Sequence, residues 1–160
     1  MKTEKKKYFP LFTDLSHKKI IVIGGGRVAA RRIRSLLDFA GEITVIAPEV
    51  LPEIQLLAES GQILWKKKKY EREDICNRDM VLAATDDEMV NDDVYRACKC
   101  WGIPVNIASD RDKCDFYFPG LLCEDEVVMG FCGGGNPAKA KEMRRKVERL
   151  LHEPGEGKDE

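Results

Sequence analysis

The sequence predicts an α/β fold built on a doubly wound parallel sheet, and two observations predict it. Short β-branched runs alternate along the chain with stretches whose apolar residues recur at helical spacing. The first of those runs, Ile20-Ile21-Val22-Ile23, passes through Gly24-Gly25-Gly26 straight into such a stretch, which makes a strand, a sharp turn and a helix. Strands separated by helix-length connections must run parallel, and right-handed crossovers then leave strand order 3-2-1-4-5 with helices on both faces. An added edge hairpin and a C-terminal helix complete the expected fold.

The elements follow in order. After a lysine-rich start, Tyr8-Phe9-Pro10-Leu11-Phe12 is held extended by its proline and is expected to lie against the edge of the main core. The first helix is expected from Val28 to near Gly41, with Ala29, Ile33, Leu36 and Leu37 facing inward. Residues 42–47 form the second strand, stopped by Pro48, and residues 51–59 a short helix. Strands are expected over 62–70 and 79–84, then a helix over 87–101 with Val90, Val94, Ala97 and Cys98 on one face, then a fifth strand over 103–107. Residues 116–122 and 127–132 flank Glu124-Asp125-Glu126 and read as a hairpin at the far edge of the sheet. A second glycine cluster, Gly133-Gly134-Gly135-Asn136-Pro137, opens a last helix through Leu151. Its apolar face, Ala138, Ala140, Met143, Val147, Leu150 and Leu151, is thin. Residues 1–132 are thus expected as one domain with the hairpin included, 133–152 as a helical segment, and 153–160 as a disordered tail with nothing to bury.

Composition narrows the function classes. A chain of 160 residues can bury about 70% of its unfolded surface and so build a core without disulfides or metals. With 34% charged residues and a net charge of −1, the overall balance points to neither nucleic acid nor membrane as a partner. No apolar run approaches the roughly 18 to 20 residues that span a bilayer, and no apolar segment follows the basic residues 1–7, so a cytoplasmic protein is expected. Six scattered cysteines without a C-x-x-C, beside only two histidines, indicate reduced thiols and no metal site.

Chemistry concentrates at the first turn. Gly24, Gly26 and Ala29 form G-x-G-x-x-A between a strand and a helix. Glycines let backbone approach a ligand, the helix start presents N–H groups and a positive dipole end to phosphate, and the third small residue packs helix on strand. This is a Rossmann-type dinucleotide signature, although a tight strand-to-helix connection without a ligand has the same look. Ligands in such sheets sit beyond the carboxyl ends of the strands, which gathers Gly24, Gly25, Gly26, Arg27 and Val28, then Pro48-Glu49, Thr85-Asp86-Asp87 and residues 108–110. Glu49 is the carboxylate nearest the position that holds ribose hydroxyls, and no arginine stands beside it to receive a 2′-phosphate, which favours NAD over NADP. Thr85-Asp86-Asp87-Glu88 serves equally well as a cap and acidic first turn for the helix that follows. Arg27, Arg31, Arg32 and Arg34 are expected on the exposed side of the first helix, and Lys139, Lys141, Arg144 and Arg145 on the last. Such faces are commonly solvated surface, as is expected of Lys66 to Lys69; two of them opening from glycine turns could instead flank a polyanion.

The segments Phe9-Pro10-Leu11-Phe12, Val45-Ile46-Ala47-Pro48-Glu49, Ala83-Ala84-Thr85-Asp86-Asp87, Val105-Asn106, Asp115-Phe116-x-Phe118-Pro119 and Gly133-Gly134-x-Asn136-Pro137, together with the first glycine loop, resemble the NAD-binding module of sirohaem synthases. That family comprises precorrin-2 dehydrogenases, some of them also sirohydrochlorin ferrochelatases. The resemblance spans about residues 8 to 151. It implies oxidation of precorrin-2 to sirohydrochlorin with NAD as cofactor, a homodimer, and contacts to a carboxylate-rich tetrapyrrole from Asn106, Gly133, Gly134 and Asn136. The family's functional aspartate falls on Ser109, with Asp110 one residue later. The hydroxyl pair before the second glycine cluster is replaced by Phe131-Cys132, and the Ser-Pro after it by Asn136-Pro137. Family members commonly continue into further helices, whereas at most one helix follows Pro137 here. Asp110 is therefore the first candidate for the proton-handling acid, with Ser109 at the family position and Asp115 as a further candidate that could equally cap a turn. The competing class is a binding module for dinucleotide or tetrapyrrole without chemistry. A regulatory dinucleotide domain fits the first turn but accounts for neither Asp115-Phe116-x-Phe118-Pro119 nor the second glycine cluster.

Overall fold

A computed structural model describes residues 8–152, which fall into two compact units, one of residues 13–117 and one of residues 8–12 with 118–152. The larger unit holds the expected sheet. Strands β1 (Lys19–Ile23), β2 (Glu42–Ile46), β3 (Leu64–Lys66), β4 (Met80–Ala83) and β5 (Val105–Ile107) are all parallel, in the order β3-β2-β1-β4-β5. Strand β1 is apolar at every inner position, as a sheet covered on both faces requires, so Ile20 to Ile23 are all buried. Helices α1 (Arg27–Leu36), α2 (Pro52–Glu59) and α3 (Glu88–Trp101) provide three of the four crossovers, and a 3-10 turn, Arg72–Ile75, lies in the one between β3 and β4. Ala29, Ala30, Ile33 and Leu36 are the buried residues of α1, and Val94, Ala97 and Cys98 pack from α3 onto Ile21, Ile23, Val81 and Val105.

Several expected elements are shorter than their apolar runs. Helix α1 stops at Leu36, where the Phe39 and Ala40 N–H groups both turn back to the Leu36 carbonyl (2.9 and 2.8 Å) and Gly41 bonds Leu15 O (2.9 Å). The third strand covers only three of the nine residues expected, because it is a sheet edge and Lys68 turns away into an ion pair with Glu71 (2.6 Å) and Asp74 (3.0 Å). Arg32 does not lie on the exposed side of α1. It is half-buried, since it follows Ala29 by three residues and precedes Leu36 by four on the inward stripe. Burial, and secondarily Arg31, holds its guanidinium down at about 10.

The hairpin is present but does not extend the sheet. Strands β6 (Gly120–Glu124) and β7 (Val127–Phe131) pair antiparallel as a two-stranded sheet of their own. The free edge of β5 is already covered. Val105 N–H donates to Asp115 Oδ2 (3.0 Å), Val105 O accepts from Asp115 N–H (2.9 Å), and Asn106 Nδ2 donates to Phe116 O (2.8 Å), so these groups are not offered to another strand. Helix α4 (Pro137–His152) belongs with the hairpin and has no fully buried residue. In the smaller unit Phe9, Leu11 and Phe12 are 87%, 79% and 73% exposed. The tail expected over 153–160 lies outside the described residues. Among the described residues no helix is long and apolar enough to cross a membrane.

Candidate functional site

The carboxyl ends of β1, β2, β4 and β5 are sewn together by backbone hydrogen bonds. Gly24 N–H donates to Ile46 O (2.9 Å), Leu51 N–H to Gly25 O (2.9 Å), Ala84 N–H to Ile23 O (2.8 Å) and Ala108 N–H to Ala83 O (2.8 Å). The glycines divide their work. Gly24 has φ +115°, and a β-carbon there would overlap the Ala84 carbonyl, while one on Gly25 would overlap the Glu49 carbonyl. These two let neighbouring loops close up. Gly26 is different, because a β-carbon there would project into open space. It is the N-cap of α1, no side chain caps that helix, and its first turn holds no acid. The helix start therefore has room for a group and N–H donors that no side chain claims, which is what a pyrophosphate would fit. Arg27 and Val28 in that first turn are exposed, as are Pro48 and Glu49 at the end of β2 and Asp86 after β4.

The turn after β4 is organised by a residue that no sequence motif singles out. Asn91 on α3 is only 2% exposed. Its Nδ2 donates to the Thr85 carbonyl (3.0 Å) and to Ser109 Oγ (3.3 Å), and its Oδ1 accepts from the Thr85 hydroxyl (2.9 Å). A carbonyl oxygen can only accept, so the atom facing Thr85 O must be Nδ2, and this fixes the orientation of the whole amide. Asp87 meanwhile caps α3, its Oδ1 accepting from Met89 and Val90 N–H (2.9 and 3.2 Å), so the capping role holds for that residue. A signal for Asn91 does exist: it is the one polar member of a 91-94-98 stripe that is otherwise apolar.

Ser109 and Asp110 lie side by side just past β5, on the same rim as the glycine loop. Ser109 is exposed, and Asp110 caps a short 3-10 turn over Arg111–Lys113 through Asp112 N–H (3.0 Å) while its other oxygen pairs with Lys113 (3.3 Å). Lys113 also reaches Asp92 (2.7 Å), whose carboxyl is held below the usual range by that hydrogen bond. Cys114 donates its S–H to Ile107 O (3.2 Å) and Asp110 O (3.3 Å), and burial pushes its thiol up, so it is an inert packing group.

Two other sequence-predicted residues of the larger unit, Asp115 and Asn106, have structural partners instead. Asp115 sits at the amino end of β5, its carboxylate taken by Val105 N–H and the Lys99 ammonium. Asn106 is buried and ties β5 to Phe116. Gly133, Gly134 and Asn136 belong to the smaller unit, where Asn136 Oδ1 caps α4 by accepting from Ala138 and Lys139 N–H (3.0 and 3.3 Å). Among the described residues no group of three or more His, Cys, Asp or Glu could hold a metal ion.

Comparison with known proteins shows the family. Residues 11–120 match the model of a family described as NAD(P)-binding. The siroheme synthase of Actinobacillus succinogenes is 37% identical over 145 residues, which are 90% of this chain and 30% of that protein. The siroheme synthase of Neisseria meningitidis serogroup C is 34% identical over 145 residues, again 90% of this chain and 30% of the relative. The chain thus spans about a third or less of the curated relatives it matches. The solved structure of SirC, a precorrin-2 dehydrogenase, superposes with a TM-score of 0.75 at 28% identity, covering 89% of this chain and 71% of that one. The chain belongs to this NAD(P)-binding family, the one it shares with the siroheme synthases and the precorrin-2 dehydrogenase SirC.

Proposed function

We propose that this chain binds NAD and oxidises precorrin-2 to sirohydrochlorin on the route to sirohaem. The observation that carries the reading is the juxtaposition on one rim of an open, uncapped helix start at Gly26 and an acid-bearing turn at Ser109-Asp110, joined through Thr85 and Asn91. Likeness to siroheme synthases and to SirC supports it. The N–H groups after Gly26 would hold the pyrophosphate, and Glu49 the ribose hydroxyls, with no arginine beside it to favour a 2′-phosphate. Bound there, NAD supplies the hydride acceptor. Asp110 takes the proton that must leave the macrocycle, and Lys113 offsets its charge. Metal insertion needs an acceptor for the pyrrole protons and would draw on the same turn. Assembly as a homodimer belongs to this proposal, supported by the exposed Met143, Leu150 and Leu151 of α4.

The test follows precorrin-2 to sirohydrochlorin by absorbance with and without NAD, then with ferrous or cobalt ion added. NAD-dependent conversion is expected. Asp110→Ala should lower turnover by roughly 10²-fold or more. Asp110→Asn keeps an oxygen to cap Asp112 N–H but loses the basicity, so it should fall as far as the alanine variant. Full activity in the asparagine variant would reduce Asp110 to a cap. NAD binding without any change in the macrocycle spectrum would leave a binding module.

A further inference from the structure

We infer that Asn91 is a positioning residue that aims the Ser109 hydroxyl outward as a hydrogen-bond donor to the substrate. The inference rests on the proposed dehydrogenase reading. Asn91 can spend only two hydrogens, and its orientation is locked by the Thr85 carbonyl, which takes one of them (3.0 Å). The second goes to Ser109 Oγ (3.3 Å), so the serine oxygen acts as acceptor on its inner side. Asn91 Oδ1 already accepts from the Thr85 hydroxyl (2.9 Å), which leaves it turned toward Thr85 and away from Ser109. The Ser109 proton must then point away from Asn91. Ser109 is exposed at the carboxyl end of β5, so that direction is the open rim where the ligand would sit.

The pattern matters because the same three bonds reach the glycine loop. Gly24 packs directly on Ala84 and Thr85, and Thr85 is held by both ends of the Asn91 amide. A single buried side chain thereby sets the dinucleotide side and the substrate side of the rim relative to each other. The substrate class that a fixed, neutral hydroxyl donor fits is one rich in acceptor oxygens, which a macrocycle bearing many carboxylates provides.

The test is a double-mutant cycle with Ser109→Ala and Asn91→Asp. Asp at 91 matches the shape of Asn but cannot donate, so the Ser109 proton would turn inward to bond it. Ser109→Ala should lower kcat/KM for precorrin-2 about tenfold, the worth of one ligand hydrogen bond; Asn91→Asp, which also sets a carboxylate oxygen against the Thr85 carbonyl, should lower it at least as far, and adding Ser109→Ala to it should cost little more. Ser109→Ala should leave the Kd for NAD within about threefold. Losses that multiply in the double variant, or an Asn91→Asp variant with unchanged kcat/KM, would overturn the inference and make Asn91 a purely structural clamp. If Asn91→Asp fails to fold, the exposed Ser109→Ala decides alone: a tenfold loss supports the outward donor and no loss refutes it. If the unaltered protein does not oxidise precorrin-2, the proposed function fails by itself. The cycle is then measured on the Kd for sirohydrochlorin, from its absorbance shift: non-multiplying losses support the outward donor, multiplying losses refute it, and absence of tetrapyrrole binding overturns both proposals.

Discussion

Two helices in this chain start from glycine clusters, and they start in opposite ways. Before α1, Gly26 supplies no side chain, and no acid stands in the first turn. Before α4, Asn136 folds its Oδ1 back onto the Ala138 and Lys139 N–H groups (3.0 and 3.3 Å). Both helices carry basic residues, and in the sequence they look like a matched pair able to flank a polyanion. Their ends differ in what is left to offer. The donors of α4 are spent inside the protein, whereas those of α1 are capped by no side chain, so glycines describe how the backbone turns and the capping side chain decides whether the dipole end is free for a ligand.

The largest effect should come from closing the α1 turn itself. Gly24→Ala forces a β-carbon onto the Ala84 carbonyl at φ +115°. Left-handed strain and overpacking together should cost about 3 kcal/mol or more, seen as a sharply lower Tm in thermal unfolding. Gly134→Ala is the control from the other cluster: φ is +59° there but the space is open, so only the conformational cost of about 1 kcal/mol is expected. Equal losses would show that steric contact with the Ala84 loop is not what requires Gly24.

A subtler change converts one helix start into the other. Gly26→Asp has room for its side chain and gives α1 an N-cap of the kind α4 already has. The helix should gain up to about 1 kcal/mol of stability, while NAD affinity falls by roughly 10²-fold because a carboxylate now occupies and repels the phosphate position. A stabilised protein that still binds NAD with its original Kd would place the pyrophosphate elsewhere.

Strand order and the glycine loop are legible in the sequence because they depend on period and on residue types with few alternative uses: four β-branched residues running into three glycines fit little else. Lengths are less legible. The lysine run after Trp65 has strand-like spacing, but an edge strand ends where side-chain ion pairs draw it off, and Lys68 finds Glu71 and Asp74. The hairpin can be recognised as a hairpin but not placed, since the β5 edge is filled by backbone and carboxylate groups of Asp115, and a cap for a strand edge leaves no periodic trace. Asn91 is hidden for a related reason. Its three bonds go to turn residues, Thr85 and Ser109, six and eighteen residues away, and only the fold sets them around one amide.

The smallest expected effect tests the other half of the comparison. Asn136→Ala removes the oxygen that caps α4, which should cost about 1 kcal/mol locally and speed amide hydrogen exchange at Ala138 and Lys139. The freed donors then resemble those of α1, yet Gly133 is held against the Asn136 carbonyl and the Ala140 amide, so no loop stands off to admit a phosphate. The Kd for NAD should accordingly stay within about twofold of its original value. A second, weaker NAD site appearing in calorimetry would mean that an uncapped glycine start suffices for anion binding, and that the closing of Gly24 and Gly25 against the neighbouring loops is dispensable to the first site.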